Sequence, residues 1–259
     1  MENKELQTQT GETKEKKNLL TEAQLEIIIA IFLALTAFLT AWASWIGSLH
    51  GGNQATNYAN SNNTAADGNS RYNEAQQKMM QDMLLWNEIS DLQLEIMYAQ
   101  EIGDEDTVNL DAYKLYYKCF DNLSEEMSAA LGFDFDAAGA SEPDAYVLAW
   151  MDQTEAVNSP FSDQAFVDAY YEDAMAVIAE SEDLLQEGKK DNANGDAFNL
   201  VTVFYSVVLF LLGICGTLKR IPYRTIIVFA AILCFLLATV YMFTIPMPTG
   251  FNFGSFFVH

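Results

Sequence analysis

Residues 27–49 read IIIAIFLALTAFLTAWASWIGSL, a run of 23 positions without an ionisable side chain. An α-helix rises about 1.5 Å per residue, so about 20 apolar residues cross the hydrocarbon core of a bilayer. In lipid the helix is also the form that pairs every backbone group within one segment. Two further uncharged runs follow, at residues 199–218 and 225–245. A cleaved signal peptide is the rival reading of the first run, with small residues at 41–44. The run exceeds the roughly 7–15 residues of a signal core and follows a long charged leader, so an uncleaved signal anchor is expected.

Charge divides the chain in the same way. The formal net charge is −23, yet no Asp or Glu follows Asp196, and the basic residues beyond it are Lys219, Arg220 and Arg224. Lys4, Lys14, Lys16 and Lys17 stand in the leader. Lys and Arg mark cytoplasmic loops, so the leader (residues 1–25) and the turn (219–224) are expected inside. Residues 50–197 and the aromatic, uncharged tail (246–259) are then outside, and 26–49, 198–218 and 225–245 cross the membrane. Trp42 and Trp45 suit the outer interfacial belt and Tyr223 the inner one. A plasma (inner) membrane location follows. The tail is expected to lie back in the outer interface or on the base of the outer domain, because so apolar a segment is unlikely to stay free.

The section from 50 to 197 has 30 acidic and 6 basic residues, a net charge of −24. Such a surface repels nucleic acid and anionic headgroups and attracts cations or a basic protein partner. It reads as all-α. Met79, Met83, Trp86, Ile89 or Ser90, Leu92 or Leu94, and Ile96 or Met97 form one helical face. Gly103-Asp104-Glu105-Asp106 ends that helix and caps the next, expected over residues 107–131 with Leu110, Tyr113, Tyr117, Phe120 and Leu123 buried. After a loop with Gly132 and Gly139, Ser141 caps a helix with Pro143 in its first turn and Tyr146, Val147, Trp150 and Met151 on one side. Ser159-Pro160 breaks it. Ser162 caps a last helix carrying Phe166, Tyr170, Ala174, Val177, Ile178 and Leu185, ending near Gly188-Lys189-Lys190. The expected architecture is three membrane helices and a bundle of about four helices.

Between the first run and this bundle, Asn53, Asn57, Asn60, Asn62, Asn63, Asn69 and Asn73 crowd the chain. Asparagine favours turns, so a linker is the plain reading. Yet Ala55, Asn62, Asn69 and Gln76 recur every seven residues, as do Tyr58, Ala65, Tyr72 and Met79. Such heptads indicate a coiled-coil seam and a helix continuous from the first run to about residue 100. Within the run, Ala30, Ala34, Ala37, Ala41, Ser44 and Ser48 form one small-residue face. Thr36, Thr40, Ala43 and Gly47 form another. Small faces let membrane helices approach closely: one face is expected to pack on the other two runs, the second on another subunit of a homo-oligomer.

Signatures of catalysis are absent: no phosphate loop, HExxH or GxSxG occurs. Asp134 and Asp136 resemble the start of a calcium loop, but the fifth and twelfth positions are Ala138 and Ala145. Asp104, Glu105 and Asp106 are a second weak cation candidate, read first as a capping turn. His50 and His259 are the only histidines, and neither has a metal-ligating neighbour in sequence. Cys119 has no disulfide partner in its section, and Cys215 and Cys234 read as small apolar residues. No cofactor is implied. No charge lies within a run, which weighs against a proton relay.

Trp42-Ala43-Ser44-Trp45, then Asn53-Gln54-Ala55-Thr56 and Trp86-Asn87, resemble a group of bacterial membrane proteins. In those, an N-terminal span leads into a helical outer domain and two spans close the chain. The resemblance implies this layout and no activity or functional residue. The leading expectation is therefore a non-enzymatic membrane protein that displays a helical domain for partner binding or self-assembly. The alternatives are a homo-oligomeric cation channel lined by Thr36, Thr40 and the Asn-rich seam, and an enzyme using outer-domain carboxylates.

Overall fold

Thr21 opens the longest helix. Its hydroxyl accepts from the Gln24 N–H at 3.4 Å, and the Gln24 side-chain oxygen accepts from the Thr21 N–H at 3.1 Å. This reciprocal pairing is a capping box. The computed structural model describes residues 21–138, 142–218 and 220–251. In it, helix α1 runs unbroken over Glu22–Ile102, 81 residues. No proline precedes Pro143, so every backbone donor in the run is available. Gly47, Gly51, Gly52 and Gly68 each cost about 1 kcal/mol of helix propensity, which packing must offset. Residues 50–72 are thus helix rather than linker.

The remaining helices among the described residues are α2 (Glu105–Asn122), α3 (Glu125–Leu131), α4 (Phe135–Ala138), α5 (Pro143–Met151), α6 (Thr154–Val157), α7 (Gln164–Ala169), α8 (Glu172–Cys215) and α9 (Ile221–Thr244), with one 3-10 turn at Pro160–Ser162. No strand occurs among the described residues. Gly103, at φ 76°, ends α1. The Asp104 N–H reaches the Ala99 carbonyl and the Gly103 N–H the Gln100 carbonyl, the two bonds of a Schellman motif.

Several expected boundaries move: the helix that opens at Pro143 stops at Met151, short of Pro160, and the one expected from Ser162 to Gly188 is parted at Tyr170–Tyr171 into α7 and α8. Residues 107–131 are two helices, because Leu123 and Ser124 are extended and the Ser124 hydroxyl caps the Met127 N–H at 3.2 Å. Ser124→Ala is expected to destabilise by about 1 kcal/mol, read as a lower denaturation midpoint with an unchanged slope. Asp163, rather than Ser162, caps α7. The helix expected to stop near Gly188 instead continues to Cys215, since no proline lies between Pro160 and Pro222 and Gly188 is buried in the helix. The expected caps at Gly139 and Ser141 lie outside the described residues.

By contacts the chain divides into two compact units, with both boundaries inside α1 and α8: Met1–Asn57 with Gln186–His259, and Tyr58–Leu185. In the first unit, α1, α8 and α9 each contain a stretch long and apolar enough to cross a membrane. Their shared core includes Ala43, Ile46, Phe198, Val201, Tyr205, Leu212, Ala231, Phe235 and Met242. The Tyr205 hydroxyl lies 3.0 Å from Thr239 Oγ1, which satisfies its polar end inside an apolar contact. The outward sides are apolar too: Phe38, Phe229 and Phe243 are 66%, 71% and 72% exposed.

In the second unit, Trp86, Ile89 and Ile96 of α1 pack with Leu115 and Cys119 of α2, Met127 and Leu131 of α3, Phe133, and Val147 and Trp150 of α5. The buried face of α2 differs from expectation. Val108, Asp111, Ala112, Leu115, Tyr116 and Cys119 face inward, while Leu110, Tyr113, Tyr117 and Phe120 are 40–56% exposed. The inward set is the less bulky one and lets α2 close on α5. On α1, Asp82 is buried and Met83 is 40% exposed; of the alternatives left open there, Ile89 and Ile96 are buried and Leu94 and Met97 exposed.

Candidate functional site

The two small-residue faces of α1 have different fates. Thr36, Ala43 and Gly47 are buried and Thr40 half-buried, while Ala30, Ala34, Ala37, Ala41 and Ser44 are exposed. The Thr36 and Thr40 hydroxyls donate to the carbonyls of Phe32 and Thr36, at 2.6 and 2.7 Å. Thr36 therefore offers no free hydroxyl to a water path. A Cβ placed on Gly195 would sit 3.5 Å from the Gly47 carbonyl oxygen and from His50 Cβ, so backbones meet closely here. Asn62 and Asn69 are exposed. The buried column of α1 lies one position earlier, at Ser61 and Gly68, and the Ser61 hydroxyl donates to the Ser181 carbonyl at 2.8 Å.

Trp42 and Trp45 form an edge-on pair at 5.4 Å, and Phe251 packs edge-on against both at 6.2 and 5.7 Å. The start of the tail thus covers the indole pair. Residues 252–259 lie outside the described residues, as do Lys4, Lys14, Lys16, Lys17 and Lys219. Arg220 is the exposed residue before α9. Arg224 is not a free surface cation: it is 8% exposed, with Nη1 3.3 Å from Glu22 Oε1 and Nη2 4.0 Å from Glu26 Oε1.

His50 is the largest departure from the sequence reading. Its partner is 141 residues away: Nδ1 lies 2.8 Å from Asp191 Oδ1. Nε2 lies 3.1 Å from the Pro246 carbonyl oxygen. Asn57 donates to Asp191 Oδ2 at 3.2 Å, and Asn53 donates to the Thr249 carbonyl and hydroxyl oxygens at 3.1 and 3.2 Å.

Both sets of candidate cation ligands serve helix starts. Asp104 accepts from the Thr107 hydroxyl at 2.7 Å and its N–H at 3.2 Å. These bonds, the hydroxyl's first, hold its carboxyl below the usual range. Glu105 and Asp106 occupy the first turn of α2, where acids suit the helix dipole. Asp134 Oδ1 accepts from the N–H groups of Asp136 and Ala137 at 2.9 and 3.3 Å, and so starts α4. No group of three or more His, Cys, Asp or Glu converges on a metal-sized site among the described residues.

The second unit has two further surface features. A cleft of about 580 Å³ is lined by Lys78, Glu126, Ala129, Pro160, Phe166 and Tyr170. Beside it, Asp82 Oδ2 accepts from the Tyr170 hydroxyl at 2.7 Å and the Ser124 hydroxyl at 3.4 Å. Burial, then the bond to Asp82, pushes the Tyr170 phenol upward. Lys78 pairs with Glu126 at 2.8 Å, both in the lining. Cys119 is no nucleophile, since burial pushes its thiol up to about 12 and the thiolate is the reactive form. The other feature is an aromatic ridge. Tyr113 and Tyr117 pack edge-on at 4.8 Å, Tyr117 meets Tyr116, Tyr116 stacks on Phe120, and Phe120 meets Phe135. Phe133 links Phe135 to Trp150 in the core.

No family model, curated protein or solved structure matches this chain.

Proposed function

We propose that this chain crosses the cell membrane three times, with its leader and the 219–224 turn in the cytoplasm, and displays the acidic section outside to bind a basic protein partner. The outward apolar faces of α1, α8 and α9 support the membrane reading, because a helix that is apolar all round needs non-aqueous surroundings. Glu22 and Glu26 answer the charge of Arg224. Lys14, Lys16, Lys17, Lys219 and Arg220 therefore carry the orientation.

The observation that carries the binding role is the exposed row Leu110, Tyr113, Tyr117 and Phe120. Aromatic residues of this kind dominate protein interfaces. This row is backed by packed rings rather than by flexible loop, so little ordering cost attends its use. It stands in a section of 30 acidic and 6 basic residues, which steers cationic surfaces and rejects anionic ones. The fitting partner has an apolar groove bordered by Lys and Arg. The exposed Ala30, Ala34, Ala37 and Ala41 face supports self-assembly within the bilayer as an accompanying property.

A photo-reactive phenylalanine at Tyr117, compared with one at exposed Glu180, tests this in living cells. Tyr117 is expected to yield one discrete adduct and Glu180 none. An adduct of twice the 28.9 kDa chain mass assigns the ridge to a second copy instead, and no adduct at either position ends the binding role. Glu180→Cys is expected to react with a membrane-impermeant maleimide on intact spheroplasts, and protection until the membrane is breached reverses the topology.

A further inference from the structure

His50 is 1% exposed, and both its ring nitrogens face oxygen. The Pro246 carbonyl can only accept, so that contact is a hydrogen bond when Nε2 carries a hydrogen. An ionised carboxylate can only accept as well, so both contacts are made together when a second hydrogen lies between Nδ1 and Asp191 Oδ1. That arrangement holds one proton more than a neutral imidazole beside a carboxylate. Asn57 donates to the other carboxylate oxygen, and Phe198 stacks on the imidazole at 5.8 Å. His50 lines a cleft between α1, α8 and the segment after α9, whose charged groups are Glu187, Lys190 and Asp191, all on α8; α1 also contributes Asn57, and Pro246, Met247 and Thr249 bring no charge.

We propose that His50 is a proton-operated latch on the segment that follows α9. With both nitrogens protonated, one ring joins three parts of the unit: α1, which carries it, α8 through Asp191, and the tail through Pro246. When a proton leaves to water, one N–H remains for two acceptors. The carboxylate keeps it, because a hydrogen bond to an ionised acceptor is roughly twice as strong as one to a neutral acceptor. Nε2 then turns a lone pair toward the lone pairs of the Pro246 oxygen, and the segment lifts. Pro246 and Pro248 have no backbone N–H, so neither can replace the lost bond with a donor of its own. Asn53 still holds Thr249, which confines the motion to residues 246–248. The latch is closed on the acid side of the pair's titration and opens as pH rises through it.

The test uses the full chain in lipid nanodiscs. A nitroxide at Met247→Cys, a position 43% exposed, reads tail mobility in a Cys234→Ser, His259→Ala background that leaves His50 as the sole histidine. Nitrogen-15 labelling of His50 reads ring protonation. Between the acid and the alkaline end of a pH titration, the ring is expected to pass from two N–H groups to one, on Nδ1. The nitroxide is expected to pass from immobile to mobile with the same midpoint. Asp191→Asn is expected to lock the latch: its amide donates to Nδ1, Nε2 keeps Pro246, and the label stays immobile at both ends. His50→Phe is expected to be mobile at both ends. A ring that keeps one protonation state, a label indifferent to pH, or a pH transition that survives in Asp191→Asn overturns the proposal, and the last of these does so even if His50→Phe does not fold.

Discussion

Trp150→Ala is expected to lower the stability of the Tyr58–Leu185 unit by about 3–5 kcal/mol, the range for removing a large buried aromatic. Trp150 is 1% exposed and meets Phe133 edge-on at 5.3 Å. Its indole N–H donates to the Leu131 carbonyl at 2.8 Å in a buried setting. Truncation leaves a cavity and also leaves that carbonyl unpaired, a further cost of about 1–3 kcal/mol if no water replaces the donor. Domains of this size are stable by only about 5–15 kcal/mol. Far-UV dichroism during denaturant unfolding measures the loss. Trp150→Phe helps to separate the two parts, since it keeps one ring and loses the donor with only part of the indole volume; a cost equal to that of the alanine variant would show that the hydrogen bond, and not the packing, is what matters.

Gly68→Ala is the second large effect, and its sign is opposite to propensity. In an exposed helix this change stabilises by about 1 kcal/mol. Here a Cβ would lie 2.7 Å from Ile178 Cγ1 and 3.2 Å from the Ile178 backbone nitrogen. The side chain can rotate, but the backbone can yield only if α8 moves away from α1. Overpacking of this kind costs about 1–3 kcal/mol. The double variant Gly68→Ala, Ile178→Ala should recover part of the loss, because neighbours couple. Strict additivity of the two single losses would show that the helices are not in contact there.

The all-helical class and the three long apolar helices were legible because a run of 20 residues without a charge has few other solutions. The continuity of α1 was legible in its heptads, but the phase was not. Ala55, Asn62, Asn69 and Gln76 form a mixed column of small and polar residues, and so do Gln54, Ser61, Gly68 and Ala75, so the pattern alone does not say which column is inside. The face of α2 failed for a related reason. Two stripes with helical spacing compete there, and the more aromatic one is the exposed one. The breaks at Gly103 and Pro160 were legible from backbone chemistry. The pairing of His50 with Asp191 was not, since nothing local marks two residues that meet only after two helices have packed.

The uninterrupted α8 has a consequence for how this chain can change length. Gly195 and Phe198 face the same neighbour, α1, within three residues of one another. One residue inserted between them would turn everything downstream by about 100°, carrying Val201, Tyr205 and Leu212 out of their core. Seven residues would turn it by only about 20°. Homologous chains should therefore differ here by seven or eleven residues, each close to a whole number of turns, or not at all.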